Sequence, residues 1–213
     1  MTRYDISVAY GTGTPPWPGD TPYSCGWAWD MTAGASVNVG RITTSWHVGT
    51  HADAPLHVIA GGLPSEALPL AAFSGPATVL DARDASTGPS LTIEWLSRAL
   101  EGRPLPSRLL LRTGASVAAG AFPEEWATLT ADAAEWLTRG GLVLLGVNAP
   151  SVDPRTATDL AVHRAIFTNG ACVLENLHLG EVPDGEYLLT AYPVLVTGAD
   201  AAPVRAVLET MPG

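Results

Sequence analysis

The sequence predicts an α/β fold in which several helices pack on a mixed β-sheet, and three observations carry that prediction. Arg108 to Thr113 (RLLLRT) and Leu142 to Val147 (LVLLGV) are short continuous apolar runs, as expected of strands covered on both faces. Between and after such runs lie segments with helix punctuation at both ends. The chain has 213 residues, 46% hydrophobic and 15% charged, with 22 Gly and 18 Pro, so it is too apolar for disorder and rich in turns. That length supports one sizeable core, and residues 1–213 are read as a single domain.

Taken in order, Tyr4 to Val8 alternates like a strand and leads into a Gly/Pro loop from Gly11 to Pro22. Pro15, Pro16 and Pro18 stiffen the backbone around Trp17, which serves either as cover for a hydrophobic edge or as a rigid wall for a planar ligand. Trp27 to Val39 reads as a hairpin with Asp30 and Gly34 near its turn. Gly61 to Leu70 is loop-like, and Thr78 to Asp81 is a short buried strand. Helices are expected from Thr92 to Gly102, from Thr130 to Gly140, from Asp159 to Phe167 and from Pro203 to Leu208, the last with Pro in its first turn. Further strands are expected at Ala171 to Leu177 and Tyr187 to Val196.

The chemistry concentrates in Trp46 to Val58 (WHVGTHADAPLHV), which holds His47, His51, Asp53 and His57 in a chain with five histidines. All four stand at odd positions and would share one face of an extended segment, with Gly49 leaving space beside them. Gly49, Thr50 and Pro55 weaken the helical alternative, so the stretch reads as a strand that enters a loop at Pro55. Imidazole and carboxylate are ligands for zinc, and His47, His51 and Asp53 make a three-ligand set. Glu175, in the apolar run ACVLENL, needs a cation or strong donors to be buried. His163, on the apolar face of its helix with Leu160 and Phe167, is by itself more often a hydrogen-bonded core residue than a ligand. Together Glu175 and His163 would permit a second metal, leaving His57 for proton transfer and His178 as a solvated or capping residue.

Other classes are disfavoured. A formal charge of -10 repels nucleic acid and anionic lipid. No signal-like or membrane-length apolar run is evident, and Cys25 and Cys172 are too few and too distant for a disulfide framework. A cytoplasmic protein with two reduced thiols is the expectation. No G-x-S-x-G nucleophile motif competes with the metal reading.

The pattern His47-x-Gly49-Thr50-His51-x-Asp53-x-Pro55-x-His57 resembles the signature of the cyclase-like metal-dependent amidohydrolases. The likeness extends to Pro16 through Pro22, Val37-Asn38-Val39, Ser151 through Pro154, Leu174 through Leu177 and Pro203 through Leu208. It implies a compact β-rich fold of the swivelling β/β/α type and a homodimer. It also implies two Zn2+ (or Mn2+), one on His47, His51 and Asp53, the other on Asp53, His163 and Glu175. His57 would be the proton donor and acceptor, and Trp17 would contact an aromatic substrate. The implied reaction is hydrolysis of the formamide of N-formyl-L-kynurenine. Thr50 and Trp46 stand where aryl-formamide hydrolases commonly have Ala and a smaller residue or Pro, and Thr50 is closer to the wider family, which includes isatin hydrolase. A cyclic amide substrate, or a non-catalytic metal-binding role, are the alternatives.

Overall fold

A computed structural model describes residues 1–83, 90–100 and 102–211. In chain order the strands are β1 (Arg3–Asp5), β2 (Ser24–Trp29), β3 (Val39–Thr43), β4 (His51–Asp53), β5 (Ser74–Asp81), β6 (Ser90–Leu91) and β7 (Arg108–Arg112). They continue as β8 (Thr128–Leu129), β9 (Leu144–Val147), β10 (Cys172–Glu175), β11 (Gly185–Thr190), β12 (Ala201–Pro203) and β13 (Val207–Thr210). The helices are α1 (Ile93–Ala99), α2 (Ala131–Arg139) and α3 (Ala161–Thr168). Nine strands form one mixed sheet in the order β1-β13-β11-β5-β7-β9-β10-β4-β12. The centre, β5-β7-β9-β10, is parallel and both flanks are antiparallel. This is the α/β mixed sheet the sequence predicts.

The apolar runs are buried on both faces because successive side chains enter different cores. Leu109, Leu111, Leu145, Val147 and Val173 pack with the helices, while Leu110, Leu144, Cys172 and Leu174 point to the opposite core with Phe73, Leu189 and Leu208. The sheet also curls towards closure. Ile6 donates to Ala206 O at one end of the sheet, and its carbonyl accepts from His178 N beside the other, at 3.0 and 2.8 Å.

The helix at Thr92 forms as expected, with the Thr92 hydroxyl accepting from Trp95 N at 3.3 Å; its expected last turn includes residue 101, outside the described residues. The helix expected over Pro203 to Leu208 does not form. Val204, Ala206 and Leu208 are buried and alternate with outward Arg205 and Val207, a period of two that builds strand, and Pro203 ends the edge strand β12. The extended reading of Trp46 to Pro55 also needs correction: only His51–Asp53 is strand, flanked by a tight turn and by a 3-10 turn at Pro55–His57. Gly49 has φ +68, and a Cβ there would lie 2.9 Å from Ala9 O. Its lack of a side chain therefore serves backbone approach rather than ligand space. Gly49→Ala should lower stability by about 1–3 kcal/mol, read as a lower thermal midpoint.

Candidate metal centre

Strand β4 lies between β10 and β12, and the register sets Glu175 and Pro203 opposite His51, and Val173 and Ala201 opposite Asp53. His51, Asp53, His163 and Glu175 are buried, with Asp53 wholly inaccessible. A carboxylate so placed requires counter-charge. It has it from three rings: Asp53 Oδ1 lies 3.1 Å from His47 Nδ1 and 3.2 Å from His51 Nε2, and Oδ2 lies 3.2 Å from His163 Nε2. Glu175 joins both sides, with Oε1 at 3.3 Å from His163 Nε2 and Oε2 at 3.6 Å from His51 Nε2. Val152 N also donates to Glu175 Oε1 at 2.8 Å.

The outer nitrogen of each ring is anchored. His51 Nδ1 is 2.9 Å from Gly49 O, His163 Nδ1 is 2.7 Å from Asp153 Oδ2, and His47 Nε2 is 3.1 Å from Asp200 Oδ2. A ring that donates outward keeps a lone pair facing inward. His47 Nδ1 and His51 Nε2 consequently approach to 3.1 Å with both lone pairs inward. In those tautomers Asp53 Oδ1, 3.1 and 3.2 Å from the two nitrogens, receives no proton from either ring. Lone pairs converging on an orphaned buried carboxylate oxygen are the arrangement a divalent cation satisfies, and outward anchoring is how metal-binding imidazoles are oriented. The donor set fits zinc. Ligand atoms of His51, Asp53 and Glu175 lie within 4.8 Å of one another, and so do those of His47, Asp53 and His57.

Charge tells the same story. Burial works against a charge on His47, yet hydrogen bonds to Asp200 and Asp53 outweigh it and raise the ring to about 9. Burial likewise opposes a charge on His51, but the Asp53 and Glu175 carboxylates raise it to about 10. His163 moves well above its ordinary value, against burial, through Asp153, Asp53 and Glu175. Burial would raise Asp53, and the surrounding histidines instead hold it well below the carboxylate range. The carboxylates thus demand positive charge, which protons or a metal can supply.

All seven residues singled out by sequence meet here. His57, exposed on its 3-10 turn, has its ring centroid 4.3 Å from that of His47 and 5.8 Å from that of His163. Trp17, His47, His57, Leu160, His163 and Glu175 line a cavity of about 290 Å³. Phe122 and Trp126 brace Trp17 edge-to-face at 5.3 and 6.1 Å. A larger groove of about 390 Å³ beside Leu68, Leu70 and Val194 contains none of these residues.

Sequence reasoning missed the supports. Asp153 entered the sequence reading only within the Ser151 through Pro154 likeness, yet its carboxylate accepts from Val162 N and His163 N at 2.9 and 3.0 Å, capping α3 from a distance. That cap replaces a local one, because Leu160 precedes the helix with φ 48 and provides no side-chain cap. Asn176, also in the left-handed region at φ 56, donates to Gly49 O at 3.2 Å and so holds the turn carrying His47. Asp200 carries no signal in the sequence beyond its charge.

A mixed α/β sheet bearing this buried cluster beside a cavity has the donor set of a metal-dependent hydrolase. Residues 4–154 match the family model described as "Putative cyclase", and the chain belongs to this family. It is 40% identical over 208 residues to the kynurenine formamidase of Bordetella petrii, covering 98% of both chains. Among solved structures it is similar to a potential metal-dependent hydrolase with cyclase activity, with 27% identity, 99% coverage of both chains and a TM-score of 0.82. An isatin hydrolase shares the fold, with 21% identity, a TM-score of 0.79 and coverage of 97% of this chain and 91% of that one.

In metal-free protein, raised histidines contribute stability that is complete below their unfolded value of roughly 6.5 and is lost as pH rises through the folded values. For His47 and His51 these are about 9 and about 10. The thermal midpoint of chelator-treated protein should therefore fall between pH 7 and 10, and zinc, whose binding releases those protons, should flatten the decline.

Proposed function

We propose that this chain hydrolyses the formamide of N-formyl-L-kynurenine to L-kynurenine and formate, using two Zn2+ and working in the cytoplasm as a homodimer. The observation that carries the substrate is the relationship to a kynurenine formamidase over 98% of both chains. His47, His51 and Asp53 would hold one zinc; Asp53, His163 and Glu175 would hold the other, and Mn2+ suits the same donors. Zinc there supplies Lewis acidity, which makes water ionise near neutrality and polarises a carbonyl oxygen.

The chain's own residues do the rest. Trp17, braced by Phe122 and Trp126, offers an apolar surface to the aryl ring and fixes the formyl group over the carboxylates. His57 accepts a proton at Nε2 from water as its oxygen joins the formyl carbon. As the C–N bond breaks, the same nitrogen returns that proton to the anilide nitrogen, which would otherwise leave as a poorly stabilised anion. Two free cysteines, Cys25 exposed and Cys172 buried, suit a reducing compartment. Among the described residues, no helix is long and apolar enough to cross a membrane.

The surface that favours a second copy is the β2-β3 hairpin. Among the described residues its strands pair only with each other, and a lone two-stranded ribbon is marginal in water. Trp27 and Trp29 on it are 55% and 61% exposed, with Met31 and Ile42 nearby and also exposed.

Zinc-loaded protein should turn over N-formylkynurenine, lose activity on chelation and recover it with zinc, with metal analysis giving two ions per chain. His57→Ala should keep the zinc and lose about 10²–10⁴-fold in kcat; unchanged kcat would sink the assignment of His57. Wild-type protein should sediment as a dimer and Trp27→Glu/Trp29→Glu as a monomer, whereas a monomeric wild type would overturn the assembly.

A further inference from the structure

One carboxylate outside both proposed metal sets faces two rings of the site at once. Asp200 Oδ2 lies 3.1 Å from His47 Nε2 and 3.5 Å from His57 Nδ1, so a single oxygen faces both a proposed zinc ligand and the proposed proton carrier. Its place is set by the backbone on every side. Residue 201 pairs with Asp53 in the β12-β4 ladder, Ala54 N donates to Asp200 O at 2.8 Å, and Ser65 N donates to Ala199 O at 2.9 Å. Gly198 N is in turn held by both oxygens of Glu66, at 3.0 and 2.9 Å. The carboxylate is thus delivered by the same ladder that carries Asp53, and its distance to the two rings does not depend on a free loop.

We propose that Asp200 is a positioning residue for the hydrolysis: it accepts the Nδ1 proton of His57 and the Nε2 proton of His47, fixing both rings in the tautomer and orientation the reaction needs. The inference rests on the formamidase reading for its catalytic consequence only.

The chemistry requires this. A neutral imidazole free in water favours the proton on Nε2, and His57 in that form would present an N–H to the cavity and could not accept a proton from water. An ionised carboxylate is an acceptor only, so beside Nδ1 it selects the Nδ1–H form and leaves the Nε2 lone pair facing the substrate. The same oxygen beside His47 Nε2 leaves the His47 Nδ1 lone pair facing Asp53. Orientation of a catalytic imidazole by a carboxylate is the logic of hydrolytic triads; here one carboxylate serves two rings with different tasks.

The test uses full-length protein with 15N-labelled histidine, at pH 8, in wild type and Asp200→Ala. Wild-type His57 should show ring-nitrogen shifts of the Nδ1–H tautomer, and the variant should move towards Nε2–H. With N-formylkynurenine the variant should lose about 10–100-fold in kcat with KM within about twofold and zinc content retained, and Asp200→Glu should recover part of the loss. An unchanged His57 tautomer in Asp200→Ala overturns the proposal, whatever happens to kcat; so does an unchanged kcat beside a shifted tautomer. If Asp200→Ala does not fold, the isosteric and weaker acceptor in Asp200→Asn is read the same way. Should wild type not hydrolyse N-formylkynurenine at all, the substrate assignment fails while the ring shifts still decide what Asp200 does.

Discussion

Asp53 is a carboxylate with no accessible surface, and burying it is the constraint around which the rest of the molecule is arranged. An ionised carboxylate far from water is tolerated only when paired and hydrogen-bonded. Here three imidazoles converge on it, and each is anchored from behind by Gly49 O, Asp153 or Asp200. The anchors exist because an imidazole aimed at a carboxylate must be prevented from turning away. Asp153 and Asp200 add negative charge of their own, so the shell that orients the rings increases the demand for a cation at the centre.

Register is what makes this affordable to build. Asp53 and His51 sit two apart on β4 and so share a face, and β10 brings Glu175 opposite His51. Strand β12, on the other side, brings the backbone that carries Asp200. A one-residue slip in either pairing would turn these side chains to the wrong face, and the buried neighbours Ala52 and Leu174 hold the register from the opposite core. His163 arrives by another route, on a helix whose first amides and whose imidazole are bonded to the same Asp153 carboxylate.

The donor residues were legible in the sequence because their chemistry is unusual in its surroundings. Histidines clustered as at 47, 51 and 57, and a glutamate inside CVLEN, stand out whatever the backbone does. The parity argument that first united them was correct only for His51 and Asp53, since His47 stands on a turn and His57 on a 3-10 turn. The buried strands could be read because runs such as RLLLR admit few alternatives. The end of the chain could not: Pro203 followed by Val204 to Leu208 fits a helix start, and only the tertiary pairing of β12 and β13 turns its alternation into strand. Asp153 and Asp200 were illegible as supports for a plainer reason. An aspartate in a loop is ordinary, and what singles these out is the ring 2.7 or 3.1 Å away, contributed by a distant part of the chain.

The aromatic wall and the donor set form one connected unit. Trp17 packs edge-to-face with Trp126, whose indole N–H donates at 3.0 Å to the carbonyl of Asp153. The carboxylate of that same Asp153 fixes His163. A planar group resting on Trp17 is therefore referenced, through two side chains and one backbone unit, to the ring facing Asp53 Oδ2 and Glu175 Oε1. Each link is buried or braced: Phe122 closes the aromatic cluster against both tryptophans, and Arg155 lies 5.7 Å from the Phe122 centroid. Positioning to within fractions of an ångström is where enclosed sites gain most of their advantage over solution. A loop as rich in proline and glycine as GTGTPPWPGDTP has its tryptophan tied by these contacts to Asp153, the residue that orients His163.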